Sequence, residues 1–164
     1  MEIRLAFPNE VEAIMQVIED AKNRLAEAGS DQWQNGYPNA DIIIEDIISG
    51  QAYVALEEGN LLAYAAVTKS PEEAYEAIYE GSWQGGESEY LVFHRIAVAA
   101  DVQGQGVAQT FLEGLIEGFD YLDFRSDTHV ENKTMQHIFE KLGFSQVGKV
   151  PVDGERLVYQ KLKK

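Results

Sequence analysis

Short apolar runs and helical apolar stripes alternate along this chain. Ile3 to Phe7 is extended in character and predicts a first strand. Pro8-Asn9-Glu10 then opens a helix, because proline tolerates the first turn and acids suit the positive end of the helix dipole. Val11, Ile14, Met15, Ile18, Ala21 and Leu25 follow at helical spacing, and Gly29 ends the element. Asn39 is placed to cap a second helix from Asp41 to Ser49, with Gly50 as its stop. Ala52 to Leu56 and Leu61 to Thr68 are apolar runs joined by Glu57-Glu58-Gly59-Asn60, which predicts a hairpin. Tyr90 to Val98 reads as a central strand, Val107 to Glu117 as a helix, and Tyr121 to Arg125 as a further strand. From Asn132 a helix runs through Met135, Ile138, Phe139 and Leu142 to Gly143, and Ser145–Val150 with Arg156–Leu162 forms a closing hairpin. No repeat or linker interrupts the series. The expectation is one domain, residues 1–164, of mixed α/β class with helices flanking a sheet.

Two stretches fall outside this pattern. Asp31 to Pro38 carries Trp33 and Tyr37 among amides and cannot continue a helix. Its aromatics either wall a substrate pocket or anchor the loop by burying Trp33. Residues 69–89 are acidic, aromatic and glycine-punctuated, with Tyr75, Tyr79 and Trp83 as candidate pocket walls and Glu87 or Glu89 as a candidate amine anchor. This segment reads equally as a binding loop or as a solvated insertion.

Composition narrows the chemistry. The 164 residues contain no cysteine, which excludes disulfides, thiolate metal sites and a cysteine nucleophile. His129 and His137 lack the i, i+4 spacing of a helical zinc pair, so no metal is expected. A formal charge of −15 argues against nucleic acid and would instead concentrate a cationic amine. No apolar run approaches a membrane span, and the start of the chain lacks a signal-peptide layout, so a cytoplasmic protein without membrane partners is expected.

The chemistry concentrates between Tyr90 and Ala108. Gln103-Gly104-Gln105-Gly106 between a strand and a helix suits anion binding, since a helix N-terminus offers unpaired N–H groups and glycine lets a phosphate approach the backbone. A P-loop would need Gly-Lys-Ser or Gly-Lys-Thr, and a Rossmann fingerprint would need a glycine where Gln109 stands. Together with Arg95-Ile96-Ala97-Val98 before it and Asn132 through Lys141-Leu142-Gly143-Phe144 after it, the turn resembles the acyl-CoA signature of the GNAT N-acyltransferases. The resemblance covers nearly the whole chain and is most specific from Arg95 to Phe144.

That resemblance implies a fold with a mostly antiparallel mixed sheet of six to seven strands. It also implies acetyl-CoA as co-substrate. Ile96, Ala97 and Val98 would meet the pantetheine arm, Gln103, Gly104, Gln105, Gly106, Val107 and Ala108 would cradle the pyrophosphate, and Asn132 would bond the cofactor from the other side. The family reaction is direct attack by an amine on the thioester, with a strand N–H stabilising the developing oxyanion. A tyrosine on the last helix often protonates the thiolate. Here that position is Phe139, which would still line the cofactor but has no proton to give. His94 is the candidate base, because an unperturbed imidazole titrates near pH 6.5 and some relatives use a histidine at this place. Alternation puts Tyr90, Val92, His94, Ile96 and Val98 on one face, with Tyr90 as a second proton carrier. His129, in a turn just past a strand, either contacts substrate, replaces the missing acid or is solvated. With Trp33 and Tyr37 it completes the candidate substrate contacts. The expected function is acetyl transfer to a primary amine of a small molecule. A protein or peptide amine and a non-catalytic acyl-CoA sensor are the alternatives, and a homodimer through the last strands is compatible with such folds.

Overall fold

The structure is a computed structural model and describes residues 1–85 and 89–163, so Glu87 lies outside the described residues. The strands are β1 (Glu2–Leu5), β2 (Ala52–Glu57), β3 (Asn60–Lys69), β4 (Leu91–Val98), β5 (Asp123–His129), β6 (Ser145–Val150) and β7 (Arg156–Leu162). The helices are α1 (Val11–Glu27), α2 (Ala40–Ile48), α3 (Val107–Gly118) and α4 (Lys133–Lys141). One seven-stranded sheet runs in the order β1-β2-β3-β4-β5-β7-β6. The β4–β5 pairing is parallel, while β1–β2, β2–β3, β5–β7 and β6–β7 are antiparallel. The mixed class and the strand number agree with expectation. Among the described residues no helix is long and apolar enough to cross a membrane.

The chain divides into two compact units, Met1–Val67 with Arg95–Leu115, and Thr68–His94 with Ile116–Lys164. In the first, α1 buries Ile14, Val17, Ile18 and Ala21 at helical spacing. They pack with Ile43 of α2 and with Val54, Leu56, Tyr64 and Ala97 of the strands. The Asn39 carboxamide accepts the Ile42 N–H at 3.1 Å and so starts α2 at Ala40. Glu58 and Gly59, at φ 49° and 81°, form the two-residue β2–β3 turn whose twist matches the flanking strands. On α3, Gly114 faces Ile3, whose side chain would have to shift to admit a Cβ.

The second unit holds the largest departure from the sequence pattern. Residues 70–85 are not a solvated insertion throughout, because a 3-10 turn at Glu73–Ala77 folds Tyr75 into the core at 2% exposure. Trp83 stacks on Tyr75 with ring centroids 5.1 Å apart, and its indole N–H donates to the Tyr75 carbonyl at 2.9 Å. The Arg125 guanidinium lies between the Trp83 and Tyr90 rings, 4.4 Å and 3.8 Å from their centroids. Tyr75 also donates its hydroxyl to Asp127 at 2.6 Å, and burial first, then the Asp127 charge, pushes that hydroxyl well above the usual tyrosine range. Tyr75→Phe is expected to lower stability by about 1–2 kcal/mol, since it leaves a half-buried carboxylate one donor short. Urea denaturation checks this, and an unchanged midpoint would show the bond to be neutral.

β5 also differs from expectation. It starts at Asp123 and continues to His129, because Asp123 through His129 pair residue for residue with Leu162 through Arg156 of β7. His129 is therefore the last strand residue and not part of a turn.

Candidate active site

In the first unit β4 delivers the chain into the glycine turn. The Ala99 N–H donates to the Leu62 carbonyl on β3 at 2.8 Å. Backbone groups alternate sides along a strand, so those of Ala97 also face β3 while those of Ile96 and Val98 face the opposite side. Ala97 itself is 3% exposed and belongs to the core. A 3-10 turn at Ala100–Val102 leads to Gln103, and Gly104 and Gly106 take φ of 80° and 76°. An added Cβ would meet nothing within 4 Å at either glycine, so these positions are fixed by backbone conformation, with open space before them. The first intrahelical bond of α3 runs from the Thr110 N–H to the Gly106 carbonyl at 3.0 Å. The N–H groups of Val107, Ala108 and Gln109 therefore precede the ladder and point out of the helix end. Orphan donors, a positive helix end and open room fit a diphosphate.

Arg95 holds the left-handed conformation, at φ 54°, inside β4. The two-residue period does not pass through such a residue, so the single face running from Tyr90 to Val98 is corrected: Tyr90, Val92 and His94 share a face, and the parity resets at Arg95. The conformation is held by a fork of bonds. Arg95 donates from Nε and Nη2 to the Asp46 carboxylate at 3.0 Å and 2.7 Å and from Nη1 to the Tyr37 hydroxyl at 2.8 Å. Asp46, on α2, is 4% exposed and also accepts the Tyr64 hydroxyl at 2.5 Å. Burial alone would lower the hold of Arg95 on its proton, but Asp46 and Tyr37 raise it above the ordinary arginine value. The loop at 31–38 is thus tied at Tyr37 to the central strand, while Trp33 packs half-buried against the core. No sequence pattern pointed to this network, because Asp46 reads only as a polar residue of an amphipathic helix.

In the second unit the segment before β4 places a carboxylate on His94. The Ser70 N–H donates to the Tyr90 carbonyl at 2.9 Å, and the Tyr90 N–H donates to the Ser70 hydroxyl at 3.1 Å. The Glu72 N–H donates to the Tyr90 hydroxyl at 2.9 Å. Glu72 Oε2 then lies 3.4 Å from His94 Nε2, with side chains 28% and 21% exposed. Tyr90 is accordingly held between Glu72 and Arg125. Phe93 pairs with Ser126 of β5, so His94 and Asp127 each stand one residue beyond that pair. Asp127 accepts Arg156 Nη1 at 3.0 Å, and His129 sits directly opposite Arg156 on the β5–β7 ladder. Among the described residues His129 Nδ1 is shielded from solvent with no hydrogen-bond partner, 3.9 Å from Glu131 Oε2.

Of the remaining candidates, Asn132 begins α4 and spends its side-chain oxygen on the Met135 N–H at 3.1 Å, while its own N–H donates to the His129 carbonyl at 3.0 Å. Phe139 is fully buried, its ring 5.3 Å from Phe144 and 5.1 Å from Tyr159. The structure therefore gathers Ile96 to Ala108 with Tyr37 and Arg95 in one unit. It gathers Tyr90, His94, Glu72, Asp127 and His129 in the other, with Phe139 in a separate apolar cluster of that unit.

Comparison with known proteins bears on the same elements. A sequence model of the acetyltransferase (GNAT) family matches residues 15–144. A GNAT-family acetyltransferase from Streptococcus agalactiae is 56% identical, and its crystal structure superposes with TM-score 0.97 over 99% of this chain and 95% of that one. An acetyltransferase structure from Staphylococcus aureus is 23% identical at TM-score 0.75 and is covered in full, as is this chain. One from Salmonella typhimurium, solved with its cofactor acetyl-CoA, is 15% identical at TM-score 0.69, covering 100% of this chain and 94% of that one. The latter two are likenesses of fold. No curated protein matches the chain. With the family match spanning most of its length and a 56% identical relative over nearly all of it, this chain belongs to the GNAT family of acetyltransferases and is an acyl-CoA-dependent N-acetyltransferase.

Proposed function

We propose that the acceptor is a primary amine of a small molecule, acetylated by direct attack on acetyl-CoA. The observation that carries this reading is the His94–Glu72 pair, a half-buried imidazole on the central strand with a carboxylate 3.4 Å away. An alkylammonium must lose a proton before it can attack, and a positioned imidazole removes it. Glu72 gives that face a negative charge, which attracts an ammonium. Acetyl-CoA supplies the activated acyl group. In the turn from Gln103 to Ala108 the N–H groups of Gln103 and Gln105 donate to the Ala100 and Val102 carbonyls, so those of Gly104, Gly106, Val107 and Ala108 would hold its diphosphate, and the backbone groups of Ile96 and Val98 its pantetheine arm. Phe139 donates no proton, so the departing thiolate takes one from water.

A thiol-release assay with acetyl-CoA against a panel of small primary amines and a basic peptide tests the acceptor class. Release with small amines is expected. Release with the peptide alone would transfer the reading to a protein acceptor, and acetyl-CoA binding with no release would make the chain a sensor. The cradle has its own test, because a β-branched residue at φ 76° is strained and places bulk where the diphosphate would sit. Gly106→Val is expected to weaken acetyl-CoA binding about tenfold by calorimetry, which corresponds to about 1.4 kcal/mol. Undiminished affinity would remove the turn from the binding site.

A further inference from the structure

An imidazole that takes a proton from an amine uses one of its two ring nitrogens, and its surroundings decide which. His94 presents Nε2 to the Glu72 carboxylate, 3.4 Å from Oε2. A carboxylate favours hydrogen on the nitrogen it faces, so Nε2 keeps its hydrogen and the lone pair lies on Nδ1. The tautomer of His94 therefore depends on where Glu72 sits. Glu72 lies outside the strands, extended at φ −110° and ψ 105°, just before the 3-10 turn at Glu73–Ala77. Its carbonyl accepts the Tyr75 N–H at 3.0 Å, and its own N–H donates to the Tyr90 hydroxyl at 2.9 Å.

The Tyr90 ring is fixed in turn. It lies 3.8 Å from the guanidinium of Arg125, which is 5% exposed and forked on Asp123 at 3.2 Å and 2.9 Å. A phenylalanine ring would fill the same place on Arg125, so what the hydroxyl adds is the bond to Glu72. We propose that Tyr90 is a positioning residue for the transfer: its hydroxyl holds the Glu72 backbone so that the Glu72 carboxylate keeps His94 in the Nε2–H form, with Nδ1 as the nitrogen that takes the proton. This assignment rests on His94 as the base and gives Tyr90 a role other than proton carrier. In the step, one N–H bond of the ammonium breaks, its electron pair stays on the amine nitrogen and the proton goes to Nδ1. The imidazolium so formed carries a hydrogen on each nitrogen beside the Glu72 charge. The freed pair forms the bond to the thioester carbon, and the C–S bond breaks with its electrons going to sulfur. The second proton that the nitrogen sheds on becoming an amide leaves to water, from which the thiolate takes one, and the proton on Nδ1 follows to water.

A double-mutant cycle on the full chain tests the role, read as thiol release from acetyl-CoA with the primary amine that the acceptor panel identifies. Tyr90→Phe keeps the ring on Arg125 and removes only the hydroxyl. It is expected to lower kcat about tenfold, the scale of one hydrogen bond, with KM for acetyl-CoA unchanged. Beside His94→Ala or Glu72→Gln the same substitution should cost nothing further, because a positioning residue acts only through the groups it positions. A full additional loss in either background, or a Tyr90→Phe chain as fast as the unaltered one, would overturn the assignment and leave Tyr90 as packing. Ring-nitrogen NMR spectra give a second readout, with the His94 signals identified by their loss in His94→Ala. With the ring neutral, hydrogen on Nε2 is expected in the unaltered chain and a mixture of tautomers in Tyr90→Phe and Glu72→Gln. Hydrogen on Nδ1 in the unaltered chain, or a tautomer indifferent to both substitutions, would also overturn the assignment. Unchanged turnover in His94→Ala alone would instead overturn the base itself, and the role of Tyr90 with it. Thermal melts of each variant identify any loss that is only unfolding.

Discussion

Asp46→Ala is expected to lower the unfolding free energy by about 3–5 kcal/mol, the cost of leaving a buried cation without its partner. Asp46 is 4% exposed and satisfies both the Arg95 fork and the Tyr64 hydroxyl. Removing it strands two polar groups at once, the buried Tyr64 hydroxyl and the largely buried Arg95 guanidinium. It also frees Arg95 from the contact that holds a left-handed residue inside a strand, a conformation worth roughly 1–2 kcal/mol by itself. The melting temperature should fall by roughly 10 °C for a domain of this size. Asp46→Asn retains acceptor oxygen and should lose less. Replacing Asp46 and Arg95 together by apolar residues should recover much of the loss, because the unpaired charge is then gone. If Asp46→Ala melted within a degree of the unaltered chain, the network would be a surface pair, and its bearing on the position of Tyr37 would fall with it.

His94→Ala is expected to leave acetyl-CoA affinity unchanged and to lower turnover of a primary amine by about 10²–10⁴-fold, the contribution of a positioned general base. Glu72→Gln should cost less, since the imidazole stays and loses only the carboxylate 3.4 Å away. Raising the pH should restore part of the activity of His94→Ala, because a larger fraction of free amine needs no base. Turnover unaffected by His94→Ala would assign proton removal elsewhere, with Tyr90 or His129 next in line.

How legible each part was depends on how local its cause is. The element order, the Asn39 cap, the Glu58-Gly59 turn and the closing hairpin are set by neighbouring residues, so spacing and turn chemistry revealed them. The glycine turn was readable for the same reason, since positive φ and an open helix end are local properties. The left-handed backbone of Arg95 is fixed by Asp46, 49 positions away. An alternation argument has no access to such a partner. Glu72 is not legible as a neighbour of His94, because Tyr90 and Ser70 bring it there through contacts 18 and 20 positions apart. His129 looked like a turn residue because Ser126-Asp127-Thr128 is polar. Two of those polar side chains are spent internally, Ser126 on the Phe93 carbonyl at 2.7 Å and Asp127 on Tyr75 and Arg156.

Product analysis is the most direct test of the reading as a whole. Incubation of the full chain with acetyl-CoA and a panel of small primary amines, followed by mass spectrometry of the amines and a thiol count, should yield an N-acetylated amine and one free CoA thiol per acetyl moved. CoA release without any acetylated small amine, or acetylation confined to a peptide, would contradict small-molecule amine acetylation as the function of this chain.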